Sequence, residues 1–422
     1  MRSKFLGLMA LALFTVPFVT TCGSGPFNDD EKYQIGRRPE FYSAAYLWHG
    51  GDANVLVAFE KESRTLQQFQ IAPFEHQLTL EVPLKYEKQG IVAGAGGGYF
   101  ITMAESEYAI VKRDGSYLKN PVPMLGQIKS IAFSPDQHLA VITDDFQTII
   151  VLILSSGGDI LGSYKSGGNV VEGKLALSGT MMADGRLVLA LGETTIAVAD
   201  LKKTVAEGGW RFAREPFEVA EAKSMSWMSS MPDGGDVVMV ADEGRLLSIN
   251  VATGVIVDQK DMTNVTVRGY YRDYTPHVVH QTGTTVLDQQ HQISYLGTDG
   301  KFITKSMLSN PHQITATWLD PAADLFTIVY DPGKDHIIDL DFDDDDNSKR
   351  EIYRFRPSDS AGLDRSDTPS RAKLIVTPGY LMLLYESVLG KAERRGYGLE
   401  PGTLSLKGYN LQLLKDRYSD DD

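Results

Sequence analysis

The sequence of 422 residues predicts an all-β chain, a single β-propeller of four-stranded antiparallel blades with eight blades by count. Three observations carry that expectation. Short apolar runs rich in β-branched residues alternate with Gly-, Asp- and Pro-containing turns, the pattern of successive hairpins. The turn after the first run of each unit recurs at Gly51, Gly97, Asp136, Asp184, Asp233, Thr275, Pro321 and Pro378, with separations of 46, 39, 48, 49, 42, 46 and 57 residues. A four-stranded blade takes about 40–50 residues. An aromatic residue closes the first strand in Trp48, Phe133, Trp227 and Trp318, as packing at one repeated position requires.

The clearest unit runs from Ser224 to Lys260. Its apolar runs Met225 to Met228, Val237 to Val240, Leu246 to Ile249 and Val255 to Val257 are parted by Pro-Asp-Gly-Gly, Asp-Glu-Gly and Ala-Thr-Gly. The first unit opens with AAYLW after Phe41, the second with IVAGA, the third with SIAF and the fourth with KLALSGTM. The sixth opens with VTVRGYYR, the seventh with TATWL and the eighth with KLIVT. If the sixth or eighth unit is not a separate blade, the count becomes seven. The eighth unit shows only three strands, so closure needs a fourth from elsewhere. Glu31 to Tyr42, with Tyr33, Ile35 and Phe41, is the candidate, and such closure removes an exposed edge. No long 3.6-residue period follows residue 21, so few helices are expected.

Charge and cysteine content narrow the function. A formal charge of −14 with no basic stripe argues against nucleic-acid partners. Cys22 is the only cysteine, which leaves no internal disulfide and no cysteine metal cluster. Before it stand Arg2 and Lys4, then an apolar run from Phe5 to Val19, the layout of a secretory signal. The chain thus divides into a signal over 1–21, a tether and closing strand over 22–40, the propeller over 41–414, and an acidic tail over 415–422.

Val19-Thr20-Thr21-Cys22-Gly23-Ser24 resembles a bacterial lipobox, although Thr21 stands where Gly, Ala or Ser is usual. The resemblance implies that Cys22 becomes an acylated N-terminus, and Gly23-Ser24 after it implies the outer membrane. The stretch Gly244 to Gly254, GRLLSINVATG, resembles the PQQ-type propeller repeat but lacks the tryptophan that usually follows its Thr-Gly. Ser130 to Asp136, SIAFSPD, is similar to the WD40 and TolB-like signature. A lipid-anchored eight-bladed ring is also similar in architecture to BamB-type subunits of the outer-membrane protein assembly machinery, a likeness that transfers no binding residue.

Searches for chemistry yield no catalytic residue and no cofactor site. Gly94 to Gly98 leads into a strand-like run, whereas a phosphate cradle needs a helix N-terminus there. Asp339, Asp341, Asp343 and Asp345 begin with calcium-loop spacing. Asp344 and Arg350 occupy the positions of the required Gly and Glu, so a solvated hairpin turn ranks ahead of calcium. His277 and His280, three apart in a strand, face opposite sides and make a poor metal pair. The loops of His49, Asp136, Asp233 and Asp320 are expected at the channel ends.

Three functions follow, in this order. The first is a non-catalytic, lipid-anchored docking scaffold for envelope or outer-membrane proteins, on the periplasmic side or at the cell surface. The second is a receptor for a small ligand or glycan, stacking on Tyr270, Tyr271 and Tyr274. The third is a propeller enzyme, a quinone-dependent dehydrogenase or lactonase-like hydrolase.

Overall fold

The computed structural model describes side chains over 108–123, 148–262 and 292–305, short gaps aside, with a few further positions; the other strands are described by their backbone. A short strand, β1 (Lys32–Gln34), comes first. The first sheet holds β2 (Tyr46–Gly50), β3 (Ala53–Phe59), β4 (Leu66–Gln70) and β5 (Glu75–Leu80). The second holds β6 (Val92–Ala95), β7 (Gly98–Ala104), β8 (Glu107–Val111) and β9 (Tyr117–Lys119). The third holds β10 (Ile128–Ser134), β11 (Leu139–Asp144), β12 (Ile149–Leu154) and β13 (Ile160–Ser166).

The fourth sheet is larger, with β14 (Asn169–Val171), β15 (Lys174–Met181), β16 (Arg186–Leu191), β17 (Thr195–Asp200) and β18 (Phe212–Glu218). A helix, α1 (Leu201–Glu207), separates its last two strands. The fifth holds β19 (Met225–Ser230), β20 (Val237–Asp242), β21 (Arg245–Asn250) and β22 (Val255–Asp261). The sixth holds β23 (Val265–Arg268), β24 (His277–Thr282), β25 (Gln290–Leu296) and β26 (Phe302–Ser306). The seventh holds β27 (Ile314–Asp320), β28 (Leu325–Tyr330), β29 (His336–Phe342) and β30 (Lys349–Phe355). The last holds β31 (Pro369–Thr377), β32 (Tyr380–Ser387) and β33 (Leu404–Asn410), completed by β1.

Within each sheet the strands follow chain order and pair antiparallel, except that β1 joins the last sheet beside β33. The first strands stand side by side, β2 by β6, β6 by β10, β10 by β15, β15 by β19 and β27 by β31. Strand β31 also meets β2, so the last sheet adjoins the first, the arrangement of a β-propeller. Of the expected closing segment the structure describes Lys32–Gln34, which pairs with β33, Lys32 opposite Tyr409 and Gln34 opposite Lys407.

Burial explains the sequence of each strand. The two middle strands of a sheet are covered on both faces and read as continuous apolar runs, IIVLIL in β12, RLVLAL in β16 and VVMVAD in β20. The outer strands are covered on one face and alternate, as in ILGSYKS of β13 and VIVDQKD of β22. The middle strands divide their side chains between two neighbours. Leu187, Leu189 and Leu191 face the third sheet with Ile149 and Val151. Val188 and Ala190 face the fifth sheet with Val238, Val240, Leu247 and Ile249. Met239 and Leu246 turn the other way, toward Val278 and Leu296 of the sixth. Burying one such side chain stabilises the fold by about 1.5–3 kcal/mol.

Helix α1 is the main departure from the expected repeat. Asp200 caps it, its side chain accepting from the Lys203 amide at 3.0 Å, and Gly208 ends it at φ 67°. Its Leu201 and Thr204 are buried. Val205 reaches the third sheet so closely that a Cβ on Gly162 would lie 2.6 Å from Val205 Cγ1. Only glycine fits that crossing. Trp227 also departs, because β19 runs three residues beyond it to Ser230, with a bulge between Met225 and Trp227. The ring packs half-buried at the junction of the fifth and sixth sheets.

Candidate functional site

Strands of a sheet are counted from the innermost outward, with the three-residue β14 left out of the count so that β15 is first in the fourth sheet. One end of the propeller, the first end, carries the hairpins from first to second strand and the links from third to fourth. The second end carries the hairpins from second to third strand and the links to the next sheet. Charged side chains collect at these turns because the strands between them are buried.

At the first end, Asp184 sits in the hairpin joining β15 and β16. It accepts from the Arg186 amide at 3.1 Å and from Arg186 Nε at 2.6 Å. The same guanidinium donates across the sheet boundary to Asp236 at 2.5 Å. Burial opposes the charge of Arg186, but the two carboxylates outweigh it and raise its pKa. Nearby, Arg214 lies 4.1 Å over the Phe217 ring and donates to the Val251 carbonyl at 3.2 Å. Asn250 shapes the turn after β21, accepting from the Thr253 amide at 2.9 Å through its side chain. Gly254 closes it at φ 77°, with the Arg214 guanidinium 2.8 Å from where a Cβ would stand. The PQQ-like Asn-Val-Ala-Thr-Gly is therefore a turn against which a neighbouring arginine packs.

Most other carboxylates of the first end are paired as well, while the exposed Asp299 accepts from the Lys301 amide at 3.0 Å. Asp159 meets Lys112, Glu207 meets Arg211 at 2.5 Å, and Asp200 meets Lys203 at 3.3 Å. Lys202 and Lys301 are exposed there.

The second end holds a different arrangement. Asp242 has a fully buried side chain that accepts from the Lys223 and Ser224 amides at 2.8 and 2.6 Å and from Arg245 Nε at 2.9 Å. Burial pushes its pKa up, yet the two amides and Arg245 outweigh that and hold it below the usual carboxylate range. Arg245 also donates to the Glu221 carbonyl. Glu218 binds Lys174 and accepts from Thr194 at 2.5 Å and Thr195 at 2.9 Å. The Lys174 ammonium first, and then the two hydroxyls, pull Glu218 down to about 2. Between these pairs Glu172, Glu193, Glu221 and Glu243 are exposed, and none belongs to an ion pair among the described residues.

The residues singled out from sequence do not converge. His49 lies in β2 and Asp320 ends β27, each at the first end of its sheet, while Asp136 and Asp233 fall outside the described residues. Tyr270, Tyr271 and Tyr274 also fall outside them, as do Cys22, Asp343 and Asp345. Asp339 and Asp341 alternate along β29, opposite Tyr353 and Arg350. Among the described residues no three His, Cys, Asp or Glu side chains gather to hold a metal ion, and no helix is long and apolar enough to cross a membrane. His277 is buried in β24. The glycine run leads into strand β7, with Ala95 opposite Gly98, as expected of a turn. Sequence reasoning passed over Asp242, Arg186 and Glu218. A signal for one was present: Arg186 and Asp236 are separated by 50 residues, about one repeat.

The fold defines the chain as a β-propeller. It is similar to the Dos1 propeller, with a TM-score of 0.56 at 11% identity over 90% of this chain and 94% of that one. It is also similar to Sqt1 of Saccharomyces cerevisiae, with a TM-score of 0.53 at 11% identity over 89% of this chain and 97% of that one. No protein-family model and no curated protein sequence matches it.

Proposed function

We propose that the chain is a non-catalytic docking scaffold in a bacterial envelope assembly, held at the outer membrane by an acylated Cys22. Its eight sheets are read as the eight blades of one ring, and its ends and loops as the surfaces that meet protein partners. The observation that carries this reading is the use of the polar groups. Asp242, Glu218 and Arg186 are each engaged by internal partners that fasten turns and join sheets, and the Asp242 side chain is fully buried, so these groups are used in holding the fold. The WD40-type likeness supports a protein-binding role. The lipobox-like segment supports the anchor, on the periplasmic side or at the cell surface.

The test is affinity purification of the full chain from detergent-solubilised, chemically cross-linked envelopes. One or a few partners recovered near stoichiometry are expected, and Cys22→Ser is expected to shift the chain from the membrane to the soluble fraction. Recovery of no stable partner under cross-linking would sink the scaffold reading, and an unchanged distribution of Cys22→Ser would sink the anchor.

A further inference from the structure

The path of the chain between Cys22 and the ring says which way the ring faces. Strand β1 is the outermost, fourth-position strand of the last sheet. It runs antiparallel to β33, and Lys32 stands opposite Tyr409, next to the final residue of that strand. Third strands run from the second end of the propeller to the first, and fourth strands return. Lys32 therefore stands at the first end.

Nine residues, Gly23 to Glu31, separate Lys32 from Cys22. Fully extended, ten residue steps reach about 35 Å. A leash so short, attached at the rim of the first end, holds that end nearer the bilayer than the other.

The charges agree with this direction. At the first end Asp159, Asp184, Asp200, Asp236 and Glu207 sit in ion pairs, and the exposed Lys202 and Lys301 outnumber the one exposed unpaired carboxylate described there, Asp299. At the second end Glu172, Glu193, Glu221 and Glu243 face solvent unpaired and outnumber the exposed Lys165 and Lys223, and anionic headgroups would repel that excess of negative charge.

We propose that the first end of the propeller, bearing α1 and the third-to-fourth-strand links, lies against the lipid headgroups, with the carboxylate-rich second end turned away. This orientation rests on the acylation of Cys22. The lipid surface meets Lys202, Lys203 and Lys301, and the second end is left open to protein partners.

The experiment uses the full chain, processed in a bacterial host and reconstituted into vesicles of phosphatidylethanolamine and phosphatidylglycerol that carry a headgroup quencher. A fluorophore is placed at Lys202→Cys or at Glu243→Cys, both exposed positions, with Lys301→Cys and Glu193→Cys as a second pair. Quenching severalfold stronger at the first member of each pair is the expected result. Equal or reversed quenching overturns the orientation. The mass of the N-terminal fragment separates the two ideas. Absence of acyl chains on Cys22 overturns the anchor and the orientation together, whereas an acylated chain with reversed quenching overturns the orientation alone.

Discussion

The two junctions flanking the fourth sheet bury the same kind of strand but are fastened differently. Toward the third sheet the seal is largely apolar and comes from an insertion. Val205 of α1 crosses at Gly162, and Trp210 packs edge-on against Tyr164 with ring centroids 5.4 Å apart while donating to Ser166 at 3.0 Å. Toward the fifth sheet the fastenings are polar. Arg186 reaches Asp236, Ser230 donates to the Met181 carbonyl at 2.6 Å, and Asp242 ties the connecting segment to the β20–β21 hairpin. Arg186–Asp236 and Ser230–Met181 join residues about one repeat apart, whereas the apolar strap needs residues that belong to one unit only. A degenerate propeller thus tolerates loss of sequence likeness, because different chemistry closes equivalent gaps.

Asp242→Ala tests the polar side most severely. It leaves the Lys223 and Ser224 amides and Arg245 without their acceptor in a buried place, at a cost of about 3–5 kcal/mol. Urea unfolding is expected to show that loss. Asp242→Asn, which keeps an acceptor for the amides, is expected to lose distinctly less. Equal losses from the two would show that charge, and not satisfaction of the amides, matters there.

Trp210→Ala tests the apolar side. A fully buried aromatic truncation costs about 3–5 kcal/mol, and this half-buried ring is expected to cost about 2. Combined with Asp242→Ala the losses should add, since the two sites lie in different junctions. Non-additivity beyond about 0.5 kcal/mol would mean that the junctions are not independent.

This contrast also explains what was legible beforehand. Turn residues such as Asp184 and Gly254, and runs such as Val237 to Val240, announce strands because hairpin geometry and burial act on neighbouring residues. Helix α1 was missed because seven residues give too little periodicity, although its caps Asp200 and Gly208 stand in the sequence. The fourth strand of that unit, FAREPFE, was missed with it, since an outer strand with Pro216 and alternating charges resembles a loop. The pairs that fasten the junctions were illegible for another reason. Asp242 looks like any turn aspartate until the fold buries it, and only the positions of its donors show that it is a latch.

Arg186→Met separates the two fastenings more gently. The methionine keeps the apolar stem and drops the bonds to Asp184 and Asp236, so a loss near 1 kcal/mol is expected from these half-exposed pairs. Denaturation in high salt should narrow the gap between wild type and variant. A gap that does not change with salt would assign the loss to packing.

Acid offers the smallest and most local test. Glu218 titrates near 2 in the folded protein, below the ordinary glutamate value, because Lys174, Thr194 and Thr195 favour its ionised form. A carboxylate with a depressed folded pKa contributes stability above its unfolded pKa and loses it as pH falls through the folded one. The contribution should therefore be full at pH 7, begin to decline near pH 4.5 and vanish near 2. Glu218 is more than half exposed, so solvent screening keeps it small. The Glu218→Gln variant should be slightly less stable than wild type at pH 7 and equal to it at pH 2. Carbon-13 chemical shifts of the Glu218 carboxyl, followed by NMR, read the site itself, and a midpoint at or above 4.5 would show that Lys174 does not hold it. Such a midpoint would also shift the weight of fastening at the second end onto Asp242, whose partners are backbone amides as well as a side chain.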